Sequence, residues 1–297
     1  MLISVVVLTF NRAQLLKTCL ESLSGQDISK KKYEIVVVDD GSTDNTYSIA
    51  NKYDVWYIKQ KHSGVSTARN NGIRNAKGDI ICFVADDYLF PENYLATIND
   101  FFKKHKSVDV ISFSILTKDK SFYSQINDLH YKTRLRGTLS VFNSRRKFPD
   151  AILPASGAAA FRKEVFNKVG LFDENLPCLE DIDLAIRMKF SNLKHQYNPL
   201  KILRQNNKPL IPSLKEQFYK GKNYFFLKKK WGSSFKPALK TSFLGVLLVF
   251  FVTPILSLLR VIKLYFFKAV FFFFFMLILD YAFFLGYLSA YIEFFKK

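Results

Sequence analysis

Ile3-Ser4-Val5-Val6-Val7-Leu8-Thr9-Phe10-Asn11-Arg12 is the stretch on which the fold turns. A continuous β-rich run of seven residues stops abruptly at polar and basic side chains, as expected of a strand buried on both faces that ends at a functional rim. The period then changes. Leu15, Leu16, Cys19, Leu20 and Leu23 recur at helical spacing, with Asn11 placed to cap the helix.

Working outward, the same alternation repeats. Ile35 to Val38 reads as a second strand, closed by Asp39-Asp40-Gly41-Ser42 and a helix toward Tyr53. Val55 to Ile58 gives a third, Ile80 to Val84 a fourth, and Val108 to Phe113 a fifth after a helix that starts near Pro91. Such a pattern predicts an α/β fold with a mainly parallel sheet and helices on both faces. Ligands of such sheets bind at the carboxyl ends of the strands. Thr9 to Arg12, Asp39-Asp40 and Asp86-Asp87 all fall there. Residues 118 to 150 are polar, aromatic and basic, with Arg134, Arg136, Arg145 and Arg146, and read as an irregular excursion over the site. Order returns at Gly157 to Phe161, followed by helices from Lys163 to Val169 and from Asp181 to Asn192.

The chain has 297 residues and a formal net charge of +19, from 44 basic and 25 acidic residues. That balance calls for a polyanionic partner: nucleic acid, a phosphorylated ligand or an anionic membrane. Location decides among them. Between Lys201 and Lys240 eleven Lys or Arg face Glu216 alone, directly before the two most apolar segments of the chain. This is the pattern of a juxtamembrane belt on the cytoplasmic side. No finger, basic zipper or RNA-platform motif is present, so a membrane surface is preferred to nucleic acid.

Ser242 to Leu259 carries no charge, and Ala269 to Ile292 is broken only by Asp280. Each is about long enough to span a bilayer, which needs about 20 mainly apolar residues. Together they predict a membrane hairpin joined by Arg260 to Lys268, with buried or interfacial helices as the alternative. Cys19, Cys82 and Cys178 are odd in number and form no Cys-x-x-Cys pair, which excludes a disulfide framework and a zinc site. The four histidines, His62, His105, His130 and His195, show no paired spacing, and none is given a role. The N-terminal run lacks the marks of a signal peptide and reads as the first strand.

Asp86-Asp87, closing an apolar strand in so basic a chain, most simply presents two carboxylates to a divalent cation, which can hold a phosphate-bearing ligand. Taken with Val5 to Arg12, Val36 to Asp44, Gly64-Val65-Ser66-Thr67-Ala68-Arg69-Asn70-Asn71-Gly72, Gly157 to Arg162 and Leu179-Glu180-Asp181-Ile182-Asp183-Leu184, the pair makes the chain resemble family 2 of the inverting glycosyltransferases. The resemblance covers about Ile3 to Arg187 and implies the fold called GT-A, a nucleotide-binding α/β sheet merged with an acceptor-binding half.

What the resemblance implies for the site is specific. Thr9, Asn11 and Arg12 match the nucleotide-binding loop after the first strand, and Asp40 matches the acid that takes a hydrogen bond from the base, as an acceptor-only carboxylate can from uracil. An ordinary turn and helix cap would select the same residues around Asp40, and Ser42 or Asp44 can cap while Asp40 reads the base. Arg69 matches a pocket arginine near the phosphates. Asp87 matches the metal ligand, Mg2+ or Mn2+, with Asp86 helping to hold the metal or the ribose. Ala85 stands where one common form of the motif, Asp-x-Asp, has its first acid, and no histidine occurs near Leu203-Arg204-Gln205, where many relatives carry one. Asp181 matches the general base, with Glu180 beside it.

The expectation is therefore a GT-A catalytic domain over residues 1–205, a basic juxtamembrane segment over 206–241 and a two-helix membrane anchor over 242–297. The function implied is inverting transfer of a sugar from a nucleotide sugar, a uridine diphosphate sugar, to the hydroxyl of a lipid-linked or cell-envelope glycan at the cytoplasmic face of a membrane. Two readings compete with it. One is an inert membrane protein that binds a nucleotide sugar or a partner through the same fold. The other is a nucleotidyltransferase, disfavoured because no glycine-rich phosphate loop follows the first strand; that absence also disfavours a dinucleotide oxidoreductase.

Overall fold

In chain order the strands and helices are β1 (Ile3–Thr9), α1 (Ala13–Ser24), β2 (Tyr33–Asp39), α2 (Thr46–Ala50), β3 (Trp56–Lys59), α3 (Val65–Asn75), β4 (Ile80–Ala85), β5 (Tyr88–Leu89) and α4 (Tyr94–Lys104). They continue with β6 (Val110–Thr117), β7 (Ala158–Arg162), α5 (Glu164–Val169), α6 (Glu180–Phe190), β8 (His195–Arg204), α7 (Leu210–Trp231) and α8 (Ala269–Phe295). This computed structural model describes residues 1–118, 157–205, 210–231 and 269–295. The expected excursion over residues 119–150 and the first expected membrane segment, Ser242 to Leu259, lie outside the described residues.

The chain divides into two compact units, of which the first holds the described residues 1–118 and 157–205. Its eight-stranded sheet has the order β3-β2-β1-β4-β7-β6-β8-β5. β1, β2, β3 and β4 run parallel, as expected, but β7 lies antiparallel between β4 and β6, and β5 antiparallel on β8. The sheet is thus mixed but mainly parallel, as expected: β6 and β8 run with the first four strands, and β7 and β5 run against them.

Alternation in β1 shows why its run is apolar throughout. Ile3, Val5 and Val7 enter one core with Leu16, Cys19, Leu20 and Leu23 of α1 and with Tyr94, Leu95, Ile98 and Phe102 of α4. Val6 enters the other core, with Ala68 and Ile73 of α3, Val165 and Phe166 of α5, and Leu184 and Met188 of α6. Each such buried side chain contributes roughly 1.5–3 kcal/mol relative to exposure, so a polar residue on either face would be costly. Helices cover both faces, as expected. α3 sits so close on the sheet that a Cβ on Gly72 would lie 2.3 Å from Val6 Cγ1, and only glycine fits there.

Register brings the site together. Thr9 pairs with Asp39 and Leu8 with Ala85, while Asp39 also pairs with Lys59. The four parallel strands therefore end level, with the segments after Thr9, Asp39, Lys59 and Ala85 along one rim.

The second unit holds the described residues 210–231 and 269–295, which are α7 and α8. A Cβ on Gly221 of α7 would fall 1.8 Å from the Phe283 carbonyl oxygen, and one on Gly286 of α8 would fall 1.8 Å from the Phe218 carbonyl oxygen. Each helix thus offers a glycine to the other's backbone, the small-residue device by which helices approach closely. Lys222 pairs with Glu293 at 2.8 Å. Among the described residues α8 alone is long and apolar enough to cross a membrane, with a mean hydropathy of 1.3 over Leu277–Phe294, judged by length and composition. Its described partner is the basic helix α7; the other half of the expected hairpin, Ser242 to Leu259, lies outside the described residues.

Candidate active site

The rim is laced by side chains of β1 and β2. Asp40 N donates to Thr9 O at 3.0 Å, and Ser42 N to Asp39 Oδ1 at 2.8 Å. Asp39 is buried and also accepts from the Tyr57 hydroxyl, which leaves it a structural acid. Asn11 does not cap α1. It sits at φ 51°, with its backbone N–H donating to Ser42 Oγ at 2.8 Å and its side-chain oxygen accepting from Thr43 N at 2.8 Å. The cap position falls on Arg12, and Ala13 N, in the first turn, donates instead to Asp44 Oδ2 at 3.0 Å. The left-handed turn at Asn11 carries its side chain toward β2 rather than over the helix.

Thr9, Arg12 and Asp86 form one cluster. Thr9 Oγ1 donates to Asp86 Oδ2 at 3.0 Å, and an Arg12 guanidinium nitrogen lies 3.1 Å from Asp86 Oδ1. Burial pushes the Asp86 carboxyl up to about 6 against the pull of Arg12, and neighbouring Asp87 pushes the same way. Two acids on adjacent residues, both buried, meet little water to screen their repulsion.

Beyond Asp87 the chain pairs with the end of β8. Gln205 N donates to Asp87 O at 2.8 Å, and Tyr88 faces Arg204 across the ladder. The segment where the sequence lacks the family's histidine therefore lies against Asp87. There Arg204 donates to Thr117 Oγ1 at 2.9 Å and Gln205 Nε2 to Thr18 Oγ1 at 2.7 Å.

Among the described residues no third Asp, Glu, His or Cys joins this pair in a metal-binding group. Two hard oxygen ligands are the share a protein supplies to Mg2+ or Mn2+ when substrate phosphates supply much of the rest. The donor set thus fits a cation bound together with a diphosphate, not one held by the protein alone.

Asp40 is buried, and its carboxylate is filled by the loop after β3. Gln60 Nε2 and Ser63 N reach Oδ1, each at 2.8 Å, while Gly64 N and His62 Nδ1 reach Oδ2, each at 2.9 Å. His62 also stacks on Phe10, with ring centroids 4.2 Å apart and planes 20° from parallel. Sequence reading missed both rings. Phe10 stood inside the quoted strand end, a usable signal, whereas nothing in histidine spacing could mark His62.

Arg69 lies in the interior, on α3. Its side chain is 4% exposed, and its guanidinium contacts the Glu180 carboxylate and lies 5.0 Å and 5.8 Å from the ring centres of Phe172 and Phe83. It is packed inside the fold, between those rings and the acid. Its neighbours act likewise: Ser66 Oγ donates to Leu176 O at 3.0 Å, and Asn70 brackets Phe172 through both its carbonyl and its N–H at 2.9 Å. The 64–72 stretch thereby stitches the 172–180 loop to α3.

Glu180 and Asp181 open α6, after Leu179 in a left-handed conformation at φ 66°. Burial pushes the Glu180 carboxyl up, opposed by Arg69 and reinforced by Asp181. Asp181 is half-buried, and its Oδ1 accepts from Ile182 N at 2.8 Å. Asp183 is fully buried and pairs with Arg187 at 2.9 Å. Of the two acids expected to act in catalysis, Glu180 is thus bound into the interior, and Asp181 is the one with exposed surface.

The family model described as Glycosyl transferase family 2 matches residues 4–170, more than half of the chain. The chain belongs to glycosyl transferase family 2. Among the family's curated proteins, glycosyltransferase GlyA of Streptococcus pneumoniae is 30% identical over 149 residues, 48% of this chain and 21% of its own length. The poly(ribitol-phosphate) beta-glucosyltransferase of Bacillus spizizenii is 38% identical over 118 residues, 37% of this chain and 18% of its own length. An uncharacterised glycosyltransferase of Rickettsia typhi is 29% identical over 195 residues, 62% of this chain and 57% of its own. The matches thus span from about a fifth to just over half of these relatives.

Two solved structures share the fold. The mannosyltransferase PcManGT from Pyrobaculum calidifontis, in complex with GDP-Man and Mn2+, superposes with a TM-score of 0.66 at 19% identity, over 98% of this chain and 87% of that one. TarS of S. aureus in complex with UDP-GlcNAc superposes with a TM-score of 0.57 at 18% identity, over 99% of this chain and 92% of that one. At such identities the likeness concerns the fold, which is the GT-A arrangement.

Proposed function

We propose that this chain is an inverting glycosyltransferase that moves a sugar from a nucleotide sugar, a uridine diphosphate sugar, to an acceptor hydroxyl. The observation that carries this reading is the level ending of β1, β2 and β4. It sets Asp40, the Thr9–Arg12–Asp86 cluster and Asp87 along one rim, in the unit that also holds Asp181 at the head of α6.

In this reading Asp40 marks the base subsite, and Asp87 with Asp86 would hold a divalent cation that neutralises charge on the departing diphosphate. Thr9 and Arg12 fix Asp86 in one orientation. Asp181 takes the proton of the acceptor hydroxyl, whose oxygen bonds to the anomeric carbon while the bond from that carbon to the diphosphate oxygen breaks, its electron pair leaving with the diphosphate. Glu180, locked by Arg69, is a positioning residue for the turn that carries Asp181. Magnesium or manganese, a nucleotide sugar and a glycan or lipid-linked acceptor are the partners this implies.

The apolar length of α8 and the lysines of α7 support attachment to the cytoplasmic face of a membrane, with residues 1–205 as the catalytic domain and residues 206–241 and 242–297 as its basic and apolar anchor. The curated relatives include a poly(ribitol-phosphate) glucosyltransferase and a minor teichoic acid biosynthesis protein, which supports an envelope or lipid-linked glycan as acceptor.

A second reading, an inert binder of nucleotide sugars, is favoured by Ala85 and by the absence of histidine in the β8 end beside Asp87. One experiment separates the two. The full chain is incubated with uridine diphosphate sugars and manganese, and release of nucleoside diphosphate is followed. Turnover that falls 10²–10⁴-fold in Asp181→Asn, with nucleotide binding intact, supports transfer; binding without turnover in the wild type supports the inert binder. Full turnover in Asp181→Asn would remove Asp181 as the base.

A further inference from the structure

Phe10, after β1, and His62, after β3, meet beside Asp40, after β2. The imidazole of His62 lies flat on the Phe10 ring, and its Nδ1 is 2.9 Å from Asp40 Oδ2 and 3.1 Å from the Asp40 carbonyl oxygen. Both neighbours are acceptors, so Nδ1 carries the proton and donates it. A planar, nitrogen-bearing ring thus sits between an aromatic face and a carboxylate, with its N–H turned to the acid. Those are the contacts by which a protein grips a nucleobase.

The acceptor count at Asp40 sharpens the point. A carboxylate has about four lone-pair sites, and Gln60, His62, Ser63 and Gly64 supply four donors. A base N–H reaching this acid must therefore displace one of them. Ser63 and Gly64 donate from the backbone, at a turn set by Gly64 at φ 90°, and Gln60 is itself held by Asn71 at 3.0 Å and by its own N–H to Asp39 O at 2.9 Å. His62 is the exchangeable donor: its side chain is 60% exposed, and among the described residues it is the one ring stacked on Phe10.

We propose that His62 is an internal stand-in for the nucleobase. It closes the base subsite of the free protein and swings out when the nucleotide's base takes over the Phe10 face and Asp40 Oδ2. The inference rests on the nucleotide-sugar reading and adds to it a residue that sets base affinity by competing for the subsite. Stacking and one charge-assisted hydrogen bond, each replaced in kind by the base, are what His62 forfeits on leaving.

The test follows the His62 ring protons by NMR in the full chain, assigned by their loss in His62→Gln, while UDP is added and its binding is measured by calorimetry. In the free protein the Phe10 ring shifts these protons upfield. UDP is expected to return them to the positions of a solvated histidine in step with binding, and His62→Ala is expected to bind UDP roughly tenfold more tightly than wild type. If UDP binds while the His62 signals stay where they are, or if His62→Ala gains no affinity, the stand-in is overturned and the nucleotide reading survives. If neither protein binds UDP nor any other nucleoside diphosphate, the nucleotide reading fails and the inference falls with it.

Discussion

Arg69 and Glu180 close an ion pair inside the fold, 111 residues apart in sequence, which binds α3 to the first turn of α6 one residue before Asp181. Both side chains are more than nine-tenths buried, with Phe83 and Phe172 around the guanidinium. Removing one partner of such a pair leaves the other charge without compensation in a poor solvent, which typically costs 3–5 kcal/mol.

Arg69→Met and Glu180→Leu are each expected to lower the free energy of unfolding by about that amount, while the double variant is less destabilised than the sum of the two. Denaturant titration of the four proteins measures it. Additive losses would show that the two side chains act independently. Glu180→Gln keeps a hydrogen-bond acceptor for Arg69 and is expected to retain more turnover than Glu180→Leu; a proton-accepting role for Glu180 itself would abolish turnover in both.

The same pair shows what the sequence could and could not reveal. β1, β2 and β4 were legible because burial on both faces leaves a short, β-branched apolar run bounded by turn residues, and the acids after β2 and β4 were legible because they close those runs. Arg69 was not, since a sequence shows a cation without the rings and carboxylate that fold around it. β8 escaped for a related reason. Its polar and apolar residues follow no clean period, and Pro199 lies in it; the ladder with β6 steps from Phe113–Asn198 to Ser114–Lys201, leaving Pro199 and Leu200 in a bulge where a missing N–H does no harm. β5 spans two residues and exists only because β8 lies beside it.

Titration of His195 is expected to appear in the stability of the fold. Burial lowers its pKa from 6.5 to about 4, and its Nε2 lies 2.8 Å from the buried Ser112 Oγ. The unfolded chain therefore binds a proton that the native protein refuses over the interval between these values. Stability is unaffected above pH 6.5 and falls as pH drops toward 4. A half-buried ring is partly screened, so the loss is roughly 2 kcal/mol rather than the full value of the shift. Thermal unfolding at pH 7 and pH 4.5 in wild type and His195→Gln checks this: the variant is expected to lose less on acidification. An equal loss in both would place the acid sensitivity elsewhere.

Asp87 is expected to couple the cation to the nucleotide. A ligand that binds only the native state stabilises it by about 2.7 kcal/mol at one hundred times its dissociation constant. Because the described residues offer two carboxylates and no third, manganese alone is expected to shift the melting temperature little, and manganese with UDP more than UDP alone. Asp87→Asn is expected to erase the manganese increment while sparing the UDP increment. Stabilisation of the variant by manganese as large as that of wild type would remove Asp87 as a ligand.

In the second unit, the crossing of α7 and α8 depends on Gly221 and Gly286, because each accepts the other helix's backbone where a side chain would stand. A Cβ at 1.8 Å from a carbonyl oxygen cannot be absorbed by rotating a flexible side chain, since the opposing atom is main chain. The helices must separate instead, losing the contacts of Tyr224 with Phe283 and of Phe225 with Tyr287 and Tyr291. Gly221→Ala and Gly286→Ala are thus expected to destabilise the pair by about 1–3 kcal/mol each, despite alanine's higher helix propensity. Two cysteines introduced together, Phe218→Cys with Phe283→Cys, in a chain whose Cys19, Cys82 and Cys178 are replaced by serine, and joined by a short bifunctional reagent, report the spacing. Cross-linking is expected to drop in either alanine variant, and unchanged cross-linking would show that the close crossing does not exist in the full chain.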